Sequence, residues 1–253
     1  MGDNVPRRLR ILLAACLLAM ALGSSRCVPP GGCAAPPQGF DRWASAQTRS
    51  ARDRADLEAL LAMNPGVANS HYGWDCGTLL HAAATRGRED LAPLLIARGA
   101  DLNARDRMGN TPLNVAATYG RANVMTVLLA AGANANGNGP TGTPPLQSAV
   151  GGQPGASDLE KQLAAIRLLL AAGADINGQE PGSARTALIT AIGSGPRTGD
   201  DEPMIEFLLE HGADVHARDS HGTAALVYAA GTGNLRIVTL LLQRGADKRG
   251  AAR

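Results

Sequence analysis

Three short stretches of this 253-residue chain carry residue types whose spacing could do chemistry. Gly137-Asn-Gly-Pro-Thr-Gly142 satisfies the G-x-G-x-x-G spacing of a loop that cradles a dinucleotide pyrophosphate. His216-Ala-Arg-Asp-Ser-His221 offers two imidazoles and a carboxylate, the donor types of a metal site. Gly193-Ser194-Gly195 sets a serine among glycines, as in a hydrolase. Two of the three fail on local grounds. A dinucleotide loop needs a buried strand running into its first glycine, and Ala130-Ala-Gly-Ala-Asn-Ala-Asn136 has no β-branched residue. A nucleophile elbow needs its glycines two positions either side of the serine. The histidine cluster is decided by register.

A fixed period runs through the chain. Cys76-Gly-Thr-Leu-Leu-His-Ala-Ala-Ala84 matches Gly109-Asn-Thr-Pro-Leu-Asn-Val-Ala-Ala117, with Thr78 and Thr111 33 positions apart. Leu113 and Leu146 are again 33 apart. Downstream, Leu-Leu-x-x-Gly-Ala recurs around Gly99, Gly132, Gly173, Gly212 and Gly245, at steps of 33, 41, 39 and 33. The stretch from Asp56 to Gly66 extends the series one unit upstream. The residues explain the elements they must form. Pro112 suits a first helical turn, where its missing N–H costs nothing. Ala116-Ala117 lets helices approach closely, Leu128-Leu129 supplies an apolar stripe, and Gly132 sits where a left-handed C-cap is wanted. A chain 45% apolar but only 3% aromatic fits such close helix packing better than a β-sandwich.

The pattern resembles the ankyrin-repeat family over roughly residues 42–250. Thr111-Pro-Leu113, Leu80-His81 with Ala83-Ala84, Gly87, Leu95 and Gly99-Ala-Asp-Leu-Asn103 carry the resemblance. It implies an all-α solenoid in which each unit is a β-turn finger followed by two antiparallel helices. The expected units are an N-terminal helical cap at 42–70 and repeats at about 71–103, 104–136, 137–177, 178–216 and 217–250. The cap reads as two helices, Phe40–Arg52 and Asp56–Met63. In this register Gly137, Gly139 and Gly142 are finger-turn glycines, in phase with Arg107-Met-Gly109. His216 and Asp219 occupy the ordinary Asn-like and Asp positions around the last finger, and His81 is expected to hydrogen-bond within its turn. The chain is therefore read as having no catalytic, cofactor or metal site. Cys76 and Leu79 depart from the pattern in repeat one. Ala184 and Ala187 depart in repeat four, whose finger is expected to be less well formed. Insertions around Gly151–Lys161 and Ser194–Pro203 fall at the edge opposite the fingers, as drifted loops or as a second surface.

The N-terminus has a different character. Arg7, Arg8 and Arg10 precede the apolar stretch Ile11–Leu22, and Ala21-Leu22-Gly23 supplies small residues, the three-part pattern of a secretory signal over residues 1–23. A buried N-terminal helix is the alternative. Residues 24–41, rich in Pro, Gly and Cys, read as a leader. Removing the signal takes away three arginines and Asp3, so 24 basic and 22 acidic residues become 21 and 21. A neutral mature chain lacks the electrostatic drive toward nucleic acid, and it keeps no membrane segment. Cys27 and Cys33 are near enough to pair in an oxidising compartment, which would leave Cys76 unpaired.

The function expected is that of an exported, periplasmic or secreted protein-binding module, monomeric and non-catalytic, with a protein partner in the finger-side groove. Trp74, Arg107, Met108, Tyr119, Arg185 and His221 stand at positions the repeat leaves free. Trp, Tyr and Arg most often anchor interfaces; Trp74 either does so or packs on its neighbouring finger. The chain also resembles small exported bacterial ankyrin-repeat proteins. That resemblance implies either a role in peroxide or stress resistance or an immunity protein that blocks a toxin or enzyme; the alternative from a different class is an enzyme or a metal or small-ligand binder.

Overall fold

The computed structural model describes residues 51–72, 75–137, 142–152, 159–193 and 202–247. Among them are eleven α-helices and no strand. Helix α1 (Ala51–Met63) and a 3₁₀ turn (Pro65–Asn69) lead into five helix pairs. These are α2 (Leu79–Arg86) with α3 (Ala92–Ala97), α4 (Pro112–Thr118) with α5 (Ala122–Ala130), and α6 (Pro145–Gly151) with α7 (Leu159–Ala171). They continue with α8 (Ala187–Gly193) and α9 (Glu202–Glu210), then α10 (Ala225–Thr232) and α11 (Leu235–Gln243). The first helices α2, α4, α6, α8 and α10 stack in succession as an inner layer. The expected all-α ankyrin solenoid is the observed fold. One boundary differs: Arg52 and Asp56 lie in the same helix α1, not in two helices.

The core follows the period. Leu80, Leu113, Leu146 and Leu188 of the inner helices are buried, as are Leu95, Leu128, Leu169, Leu208 and Leu241 of the outer ones. Each outer helix ends on a left-handed glycine, with φ from 79° at Gly99 to 94° at Gly132. Beyond it an amide donates back across the turn, as Ala133 N does to Leu128 O at 2.9 Å. This is the closure a helix C-terminus needs to satisfy its last carbonyls.

Two ladders of side-chain hydrogen bonds tie unit to unit. In the first, His81 accepts from the Thr78 amide on Nδ1 (3.0 Å), which leaves Nε2 protonated to donate to Asn110 O of the next finger (3.0 Å). Burial holds the His81 pKa below its ordinary value, consistent with this neutral tautomer. The role of His81 within its own turn is as expected, and the reach into the next finger is additional. Asn114 repeats the device: Oδ1 accepts from the Thr111 amide and hydroxyl, and Nδ2 donates to Thr143 O and to Ser148 Oγ. Gln147 continues with a donation to Arg185 O at 3.2 Å, but its buried Oε1 has no partner. The fourth position is Ile189, which has no polar group to offer. In the second ladder, Asn69, Asn136 and Asn177 each donate to the C-cap glycine carbonyl of the following unit and accept an amide two residues beyond it.

The fourth finger is formed, contrary to expectation. From C-cap Gly173 to Thr186 is one residue more than from Gly99 to Thr111, and the turn widens to match. Ala184 N donates to Glu180 O and Glu180 N to Arg185 O, both at 2.9 Å. Glu180 takes the place of the usual aspartate, accepting from Thr143 and Ser183 hydroxyls. Cys76 and Ala184 hold the finger glycine's left-handed conformation, each at φ 52°. This costs a Cβ-bearing residue about 1–2 kcal/mol. Cys76 is also disulfide-bonded, which corrects the expectation of a free thiol; its partner, and the proposed Cys27–Cys33 pair, lie outside the described residues.

Candidate partner-binding groove

The fingers are pinned by their backbones, which leaves their tips free. Asp106 builds the second finger: Oδ1 accepts the amides of Met108 (2.9 Å) and Asn110 (2.8 Å), and Oδ2 accepts from the Asn110 side chain at 3.1 Å. Arg105 Nη1 donates to Gly109 O at 2.8 Å, and the Arg107 amide donates to Asp75 O of the first finger at 2.7 Å. A Cβ on Gly142 would lie 2.6 Å from Gly109 O. The last glycine of the G-x-G-x-x-G stretch is thus required by the close approach of neighbouring fingers. Asn138–Thr141, at the centre of that stretch, lies outside the described residues.

The expected anchors separate into three groups. Arg107 and Met108 project from the second finger, Met108 at 70% exposure. Tyr119 caps the C-terminus of α4 and is half-buried, with the Arg121 guanidinium 6.0 Å from its ring centre. Arg121 in turn donates from Nε to Thr85 O (3.2 Å) at the end of α2, so Tyr119, Arg121 and Arg86 lie together at the C-terminal ends of α2 and α4.

Arg185 and His221 belong to a second cluster at the last finger. Arg185 is not a free anchor. Its guanidinium lies 5.4 Å from the Tyr228 ring centre and donates to Tyr228 Oη at 3.2 Å. Tyr228 donates to Asp219 Oδ2 at 2.8 Å, while Asp219 Oδ1 accepts the His221 and Thr223 amides. Burial would raise the Asp219 pKa. The hydrogen bonds from Tyr228, Thr223 and His221 reverse this and bring it to about 2. That carboxylate is therefore consumed by the turn. The His221 ring is exposed, its Nδ1 3.8 Å from Asp219 Oδ2. Among the described residues no group of three His, Cys, Asp or Glu is placed to hold a metal ion. Trp74 lies outside the described residues.

Sequence reasoning left out Tyr228 and Arg121. Tyr228 sits at the position of Val115 in α4, where an aromatic departing from a small apolar residue was a readable signal. Arg121 was hidden because it follows the helix and reaches backward to the preceding unit. Arg88, at the same position one repeat earlier, is fully buried and grips Asp90 with two bonds of 2.8 Å.

Comparison with known proteins agrees with this architecture. The family model described as ankyrin repeats (3 copies) matches residues 50–139 and 155–250. The chain is 32% identical over 170 residues to the mouse B-cell lymphoma 3 protein homolog, covering 67% of this chain and 36% of that protein. It is 40% identical over 86 residues to the chicken nuclear factor NF-kappa-B p105 subunit, covering 34% of this chain and 8% of the other. The E3 ubiquitin-protein ligase KEG of Arabidopsis thaliana matches at 34% identity over 82 residues, 32% of this chain and 5% of that protein. The chain spans little more than a third of the first relative and far less of the others. Its helix pairs, capping boxes and matched span together place it in the ankyrin-repeat family, as a protein–protein interaction module.

Proposed function

We propose that the chain is an exported, non-catalytic adaptor that binds a protein through the groove between the fingers and inner helices of its first two repeats. The observation carrying this reading is the division of labour in the second repeat. Every backbone amide from Asp106 to Asn110 is committed to the turn or to the adjacent finger, while the Arg107 and Met108 side chains are left in solvent. Arg185 and Glu180, by contrast, are used up within the stack.

Export is supported by the charged and apolar N-terminal segments and by the Cys76 disulfide, which persists in an oxidising compartment. The role is support of peroxide resistance or, alternatively, neutralisation of a toxin or enzyme; loss of peroxide tolerance on gene deletion favours the first. N-terminal sequencing of the secreted protein should read from Ser24, and a sequence starting at Met1 refutes export. Crosslinking in the exporting cell should capture a protein with the wild-type chain. Arg107→Ala with Tyr119→Ala should weaken that complex by roughly thirtyfold, the effect of losing a buried interface anchor. Substitution at Gly151 should leave it unchanged; the opposite pattern moves the working surface to the insertion between α6 and α7.

A further inference from the structure

We infer that Asn177-Gly178 is a site of self-modification: when the fourth and fifth units open, it closes to a succinimide, and the hydrolysed product keeps them from re-docking. Of the three ladder asparagines, Asn136 and Asn177 precede a glycine, whereas Asn69 precedes Ser70. A following glycine favours this reaction, because no Cβ shields the attacking amide nitrogen or restricts its approach. Gly178 N attacks Asn177 Cγ, the Cγ–Nδ2 bond breaks, and ammonia leaves carrying the proton from Gly178 N. Water, the sole co-reactant, then opens the imide at one of its carbonyls, giving aspartate or isoaspartate.

The closed stack restrains both reacting groups. Asn177 Nδ2 donates to Gly212 O (3.2 Å) and Oδ1 accepts the Asp214 amide (2.8 Å), so the fourth unit's outer turn holds the carboxamide. The attacking Gly178 amide donates to Asp175 O at 3.1 Å. Asn136-Gly137 is restrained in the same way, by Gly173 O, the Asp175 amide and Asn134 O. The two sites differ in what must open. Freeing Asn177 requires only the last two units to leave, and Ile189 gives the fifth no side-chain bond. Freeing Asn136 requires the third unit, itself covered by the fourth, to leave as well.

The damage at Asn177 is two-sided. A carboxylate oxygen in place of Nδ2 cannot donate to Gly212 O. Isoaspartate also adds a methylene to the main chain before Gly178, whose carbonyl accepts from Gln147 Nε2. That joint is already short of a bond, since Gln147 Oε1 has no partner. The modification therefore loosens the third unit from the fourth on both sides of one peptide.

The test incubates the full chain in warm, mildly alkaline buffer and follows each site by peptide mapping, with fragmentation to separate Asn136 from Asn138. In native buffer Asn177 should convert at least about tenfold faster than Asn136, the ratio that a modest difference in opening free energy gives. Urea below the unfolding midpoint should accelerate Asn177 first, and in fully denaturing urea the two rates should converge. Gly178→Ala should keep the fold, judged by circular dichroism, and lose the conversion. Alanine fits there because Ala104 and Ala217 occupy the same turn position with the same amide bond, at 3.3 and 3.1 Å. Asn177→Asp, the aspartate product itself, should speed amide exchange in α8, α9, α10 and α11 and leave α2 and α4 unchanged. Equal native rates at the two sites, faster conversion at Asn136, no conversion at Asn177, or unaltered exchange in Asn177→Asp each overturns the inference. None of these outcomes bears on the groove, whose reading rests on Arg107 and Tyr119.

Discussion

Replacing Leu113 by alanine lowers the free energy of unfolding by about 2–5 kcal/mol, the range for emptying a close-packed leucine site. Leu113 is 1% exposed in α4, between the inner helices on either side. The cavity therefore weakens two interfaces at once, and in a linear stack those interfaces carry much of the stability. The effect should reach the neighbouring repeats, so urea unfolding followed by circular dichroism should show a lower midpoint for the whole molecule. Leu226, its counterpart in α10, is only partly buried at the end of the stack, and Leu226→Ala should cost less. An unchanged midpoint for Leu113→Ala refutes the phase assigned to the inner helices.

Asn114→Ala should cost roughly 2–4 kcal/mol, because it strands buried partners as well as deleting bonds. The Thr111 amide and hydroxyl lose their acceptor, and Thr143 O loses its donor from the preceding repeat. Asn114→His should recover most of the loss, since His81 performs the same function one repeat earlier. Urea titration of the three proteins decides the matter. A change under about 0.5 kcal/mol for the alanine variant, the scale of an ordinary surface substitution, would show that the bond is dispensable.

The repeat phase, the leucine rows and the capping glycines were readable from the amino-acid order because each is a local demand repeated at a fixed interval. Register alone also singled out Arg107 and Met108, which the fold leaves exposed at a finger, and Tyr119, which it half-buries beside Arg121. What escaped depends on contacts across the stack. Arg185 looks free until Tyr228, 43 residues on, is seen to hold it. The pairing of Cys76 is likewise a matter of distance in space, invisible to spacing. The fourth finger depends on length as well as residue type: one extra residue before Thr186 lets Glu180 replace the missing aspartate, which matching Ala184 to glycine by position does not register.

The hydrogen-bond ladder that runs from His81 through Asn114 to Gln147 and stops at Ile189 gives the molecule a polarity unrelated to its charge. Between the first three units, separation strips a buried donor from its acceptor. Between the fourth and fifth, the side-chain bonds left to break among the described residues, Arg185 to Tyr228 and Arg236 to Glu202, are at the solvent, where water replaces them at little cost. The stack therefore peels from its C-terminal end, with amides of α10 and α11 exchanging with solvent ahead of those in α4 and α6. A fifth unit that detaches while the first two stay zipped leaves the proposed groove whole, so partner binding survives a partial opening that would be recorded elsewhere as the onset of unfolding.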